Sequence, residues 1–157
     1  MNLLENGPYG DKYDNFRHYR YVEVKHGRIA MMGVVGYLTT AAGIRFPGAI
    51  SRDGLQFSDI DAGWAGTTQV PVMGALQVLV FIAIMELWVM KSHPGVGNEF
   101  NTDFRNGALD FGWDKQTSEW KTKKRALELN QGRAAQMGML GLMVHDKLGV
   151  SILPGGL

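Results

Sequence analysis

The chain has 157 residues, 45% of them hydrophobic and 20% charged, which fits one ordinary domain or one small membrane protein. It has no cysteine, which excludes disulfides, iron–sulfur clusters, thiolate zinc sites and a cysteine nucleophile. The 16 basic and 15 acidic residues leave a formal charge of +1, without the basic excess that a nucleic-acid partner would require.

Residues 1–28 carry Asp11, Asp14 and Glu23 among their basic residues and contain no apolar stretch. This pattern is neither a secretory signal nor an acid-poor transit peptide. The first apolar segment is Ile29 to Phe46, too weak to stand alone as a span. Pro47 to Gln69 follows as a Gly/Asp/Ser-rich loop with little periodicity. Val70 to Met90 is the longest apolar run, and its polar interruptions are Gln77 and Glu86. At ~1.5 Å per residue it covers about 30 Å, the thickness of a hydrocarbon core, so a membrane span is expected there. Lys91 to Thr122 is an irregular loop with a break at Pro94–Gly95, and a basic cluster over Lys121 to Arg125 leads into a third segment, Ala134 to Leu153.

Basic residues alternate between the loops. The N-terminal flank has Lys12, Arg17, Arg20, Lys25 and Arg28, and the second loop has Lys91, Arg105, Lys115 and the 121–125 cluster. The 47–69 loop has Arg52 against Asp53, Asp59 and Asp61. The positive-inside tendency places the N-terminus and the 91–125 loop on one side, as three spans require. The expected fold is an all-α membrane protein of one domain over residues 1–157. Its three transmembrane helices lie at approximately 16–45, 70–91 and 120–149.

The first and third segments are copies. Residues 21–37 align with 126–142 at a constant offset of 105, and seven positions are identical, among them Glu23/Glu128, Gly27/Gly132 and Arg28/Arg133. Such repeats often pack about a pseudo-two-fold axis. Glu and Arg five residues apart lie about 140° apart around a helix, too far for a good intrahelical pair. A two-fold axis lets Glu23 reach Arg133 and Glu128 reach Arg28, as charges inside a bilayer demand. Gly27, Ala30, Gly33, Gly36 and their copies offer small surfaces for a close crossing.

Donor side chains share these helices. Glu23 and His26 lie about 60° apart on one face, and Glu128 and Gln131 repeat the arrangement. His145 lies about 40° off the Gln131 stripe and about 21 Å further along. Each donor stands alone in its layer, which suits one axial bond to a flat metallo-ring better than a four-ligand cage.

At "EVKHGR" and "ELNQGRAAQMG" the chain resembles the light-harvesting chlorophyll-binding superfamily, whose first and third helices carry Glu-x-x-His/Asn-x-Arg. With "DFRNGALDFGW" and "KKRALELNQGRAAQMGMLGLMVHDKLGV" it resembles more closely the fucoxanthin–chlorophyll a/c proteins of diatoms, over about residues 13–153. Two features depart from the pattern: the short stretch before Tyr13, and Gln131 where green-plant relatives have Asn.

The resemblance implies that Glu23, His26, Glu128, Gln131 and His145 are axial ligands to chlorophyll magnesium. Arg28 and Arg133 would be the structural ion-pair partners, and Gln77 and Glu86 further ligands on the middle helix. It implies chlorophyll a, chlorophyll c, fucoxanthin and a diadinoxanthin-type xanthophyll as cofactors, with carotenoids in the grooves along the crossed helices. It also implies a light-harvesting, non-enzymatic role in the thylakoid membrane of the chloroplast, with the N-terminus and 91–125 loop stromal. The expected partners are a photosystem I or II core, other antenna subunits in a homo- or hetero-oligomer, and thylakoid lipids. Two alternatives stay open: a photoprotective, energy-dissipating relative, and a haem-binding redox protein that would use His26 and His145.

Overall fold

A computed structural model of the chain describes residues 5, 7–91, 99–107 and 110–152. The expected break at Pro94–Gly95 lies outside them. Four α-helices follow in order: α1 (Lys12–Ala41), α2 (Gly63–Gln69), α3 (Val72–Ile84) and α4 (Ser118–Lys147). Phe57–Asp59 forms a single 3-10 turn, and Met85–Val89 prolongs α3 as a π-helical turn.

The two copies of the repeat become the two 30-residue helices. No proline interrupts either, so each helix runs unbroken from its cap to a left-handed glycine. α1 stops at Gly43 (φ +77°) and α4 at Gly149 (φ +70°). Thr117 caps the start of α4 by accepting from the backbone N–H of Trp120. At the start of α1 the fully buried Asn15 accepts from Tyr9 N–H at 3.0 Å and donates to the Gly10 carbonyl at 2.9 Å. That hook folds the N-terminal segment back onto the helix.

α1 and α4 pack against each other along the molecule's main contact. α2 sits across one end, held by Asp146 of α4, which accepts from Trp64 N–H at 2.6 Å and from the Tyr37 hydroxyl at 3.4 Å. α3 makes no close backbone approach to α1 or α4. Its π-helical extension is tied to α1 by an ion pair between Lys25 and Glu86, and the chain just after it is held to the following loop by Asn106, whose amide donates to the carbonyl of Lys91 at 2.8 Å.

The structure refines the expected elements. The long helices begin and end a few residues earlier than 16–45 and 120–149, and the middle one is shorter than 70–91. The loop expected over 47–69 contains α2, whose seven residues are too few to show a period. Among the described residues, one stretch, Val72–Val89, is long and apolar enough to cross a membrane by composition. α1 and α4 have the length, about 45 Å each, but their polar residues keep them from qualifying by composition.

Very little apolar surface is covered by protein. Among the described residues Val24 and Leu142 are the buried hydrophobic ones, at 9% and 8% exposure, while Phe81, Leu79, Trp88, Met137 and many others stand open.

Candidate functional site

The centre of the α1–α4 contact is a glycine pair. A Cβ on Gly27 would lie 2.8 Å from the Cα of Gly132, and one on Gly132 would lie 3.0 Å from the Cα of Gly27. The first distance is one that real side chains essentially never show and the second is at the tight limit of real contacts, so the backbones meet where little more than hydrogen fits. The other repeated glycines do not share this role: Gly33 faces the Met139 side chain, and Gly36 and Gly138 meet no atom within 4 Å among the described residues.

Two ion pairs flank the crossing. Arg28 Nε donates to Glu128 Oε1 at 2.6 Å, and Arg133 Nε donates to Glu23 Oε1 at 2.5 Å. The reciprocity follows from the five-residue Glu–Arg spacing, which turns each Arg toward the neighbouring helix. The pairs are not equivalent. Arg28 and Glu128 are each about 30% exposed, whereas Arg133 is 56% exposed. Arg28 also donates to the Thr102 carbonyl at 3.0 Å, so it holds the preceding loop as well.

Each pair leaves one carboxylate oxygen available beside a compensating cation. Glu128 opens onto an apolar cavity of about 480 Å³ walled by Phe104, Phe111 and Trp113. His26 lies on the surface, with Nδ1 2.8 Å from the carbonyl of Val22. A proton held at Nδ1 leaves the Nε2 lone pair directed outward, the arrangement of a ligating histidine. Gln131 is exposed on α4. Gln77 lines a cavity built from α3 alone, between Met73, Leu76, Val80, Phe81 and Ile84.

His145 differs from the others. Its Nδ1 is buried without a hydrogen-bond partner among the described residues, and the residue lines a cavity of about 240 Å³ together with Tyr37 and Leu142. An orphaned buried nitrogen is costly unless something binds it. Glu86 faces α1 and is paired with Lys25, whose ammonium also receives support from the Tyr21 hydroxyl at 3.1 Å. This places a third carboxylate beside a cation, from residues outside the repeat. Among the described residues no group of three His, Asp or Glu side chains is arranged to hold a metal ion, so each donor is available to a metal as a single ligand.

The sequence did not single out Lys25, Tyr37 or Asp146, because each acts through a partner more than 60 residues away. Arg105 was legible as part of a motif but not as a hub. It binds the buried Asp103 at 2.7 Å and reaches Asp114 at 2.9 Å and Asp110 at 3.3 Å. Burial pushes the Asp103 carboxyl up, but the Arg105 side chain and two backbone N–H groups outweigh it and hold it below the usual range. Hydrogen bonding to Asp103 raises the Arg105 guanidinium above its ordinary value, although burial opposes this.

A helix pair crossed at glycines, locked by reciprocal Glu–Arg pairs and bearing isolated single-ligand donors, defines a class. The chain belongs to the chlorophyll a-b binding protein family, whose model matches residues 1–147. Within that family its similarity runs to a particular group. It is 54% identical over 146 residues to the fucoxanthin-chlorophyll a-c binding protein B, chloroplastic, of Phaeodactylum tricornutum, covering 93% of this chain and 72% of that protein. Protein A of the same organism is 55% identical over 90% of this chain and 71% of its own length. The corresponding protein of Trieres chinensis is 53% identical over 88% of this chain and 70% of its own length.

Proposed function

We propose that this chain is a light-harvesting antenna protein of the chloroplast thylakoid, binding chlorophylls a and c and fucoxanthin and delivering excitation energy to a photosystem. The observation that carries this reading is the reciprocal Arg28–Glu128 and Arg133–Glu23 pairing about the Gly27–Gly132 contact. Bound chlorophyll and carotenoid supply absorption of visible light and resonance transfer of the excitation. The protein fixes where and how those pigments are held.

The donor set fits chlorophyll magnesium. Inside its macrocycle the metal has no net charge, so it takes one neutral or charge-compensated axial ligand. Glu23 and Glu128 meet that condition through Arg133 and Arg28, and Glu86 through Lys25. His26, Gln77, Gln131 and His145 meet it as neutral groups. The Nδ1 of His145, buried without a partner among the described residues, supports a bound group at that end of α4. Carotenoids lie along α1 and α4, where Gly36 and Gly138 leave open grooves.

In this reading α1, α3 and α4 are three spans, with α1 and α4 related by a local two-fold axis. Residues 1–157 form one pigment-binding unit, and the N-terminus and 91–125 loop face the stroma. The paired charges are what let the polar α1 and α4 cross.

The test is refolding of the full chain with chlorophylls a and c and fucoxanthin. Excitation of fucoxanthin should give chlorophyll a emission with a long lifetime. A strongly shortened lifetime in the isolated protein would favour a dissipating relative, and failure to form a pigment complex would overturn the reading.

A further inference from the structure

Ahead of the glycine crossing, the N-terminal halves of α1 and α4 diverge around a cavity of about 800 Å³. Three arginines line it: Arg17 and Arg20 from α1 and Arg125 from α4. Each guanidinium lies over an aromatic ring of the same cavity, Arg17 over Tyr13 at 5.7 Å, Arg20 over Phe16 at 5.6 Å and Arg125 over Phe100 at 4.1 Å. None of the three has an ion-pair partner among the described residues. The two carboxylates in the cavity wall are already committed, Glu128 to Arg28 and Glu99 to Lys121. The cavity therefore combines a mixed polar and aromatic lining with positive charge that no carboxylate among the described residues neutralises.

A ligand matching both features is a planar conjugated molecule with an anionic edge. Given the function proposed above, on which this inference rests, one pigment has that form. Chlorophyll a carries its side-chain acid as a phytyl ester and has no charge to offer. Chlorophyll c keeps a free acrylic acid, ionised at neutral pH, and has no phytyl tail. We propose that the Arg17–Arg20–Arg125 cavity binds the acrylate of a chlorophyll c and thereby selects it over chlorophyll a. The discrimination is electrostatic: a guanidinium donates charge-assisted, geometrically matched hydrogen bonds to a carboxylate and gains much less from an ester.

The experiment compares the parent with the full-length triple variant Arg17→Gln, Arg20→Gln, Arg125→Gln. Both are refolded with chlorophyll a, fucoxanthin, and either chlorophyll c or its methyl ester, and bound pigment and lipid phosphate are counted. The parent should favour the acid over the ester by about tenfold at one site. The variant should lose about one chlorophyll c per chain and all preference for the acid. Its retained chlorophyll a and helical circular dichroism show that it has folded, and the single variant Arg125→Gln gives a milder second reading. Equal uptake of acid and ester by the parent, or an unchanged chlorophyll c content in the variant, overturns the proposal. So does loss of anionic lipid phosphate at constant pigment ratio, which would make the cavity a headgroup site. A parent that binds chlorophyll c but takes acid and ester alike overturns this inference alone, and one binding no chlorophyll overturns the antenna reading with it.

Discussion

Arg28 and Arg133 occupy equivalent places in the repeat but do different amounts of structural work. Arg28 neutralises Glu128 and holds the Thr102 carbonyl, while Arg133 is more than half exposed and, among the described residues, pairs with Glu23 alone. Arg28→Leu should therefore destabilise the pigmented protein by about 3 kcal/mol, toward the lower end for breaking a buried pair. Arg133→Leu should cost clearly less. Thermal loss of the visible circular dichroism of bound pigment measures both, and equal losses would contradict this ranking. Asp103 supports a pH prediction. Its carboxyl is held below the ordinary range, so its contribution to stability is present above pH ~4 and is lost as pH falls through the lower folded value. The loop around Arg105 should loosen below about pH 4, seen as a change in fluorescence of Trp113, over which Arg105 lies. Asp103→Asn should show the loosened signal already at neutral pH and little further change with acid.

Between helices, the decisive dimension is the Gly27–Gly132 approach. Gly27→Val would put branched carbon where a single Cβ is already 2.8 Å from backbone, forcing α1 and α4 apart and stretching both ion pairs together. Almost no pigment complex should band on a density gradient. Gly36→Ala meets no atom within 4 Å and should still assemble. The long helices and their pairing were legible because a duplicated Glu and Arg constrain geometry as well as hydropathy. The crossing point was legible only as a set of small residues; which glycines touch depends on the crossing angle, which no residue encodes alone. α2 was missed because Gly63–Gln69 is shorter than two turns and is held from outside by Asp146. Glu86 was legible as a polar residue in an apolar run, but Lys25 was not legible as its partner. The π-helical turn that contains Glu86 was not expected either.

For the molecule as a whole, the near absence of protein-covered apolar surface means that the chain alone cannot account for its own stability. Val24 and Leu142 make too small a core to offset the ordering of two 30-residue helices. Lipid and pigment have to supply the missing contacts, so folding and loading become one equilibrium. The reciprocal pairing adds a constraint on how the protein is made. Arg28 and Glu128 are 100 residues apart in the chain, and Glu23 and Arg133 are 110 apart. During synthesis α1 emerges with one acid and one base that have no partners, and they stay so until nearly the last helix exists. A chain cut after α3 should fail to retain α1 across a bilayer in a glycosylation-mapping assay, whereas the full chain should retain it. Insertion is then a joint commitment of the first and last helices, and a ribosome that stalls between them leaves behind a fragment the membrane rejects.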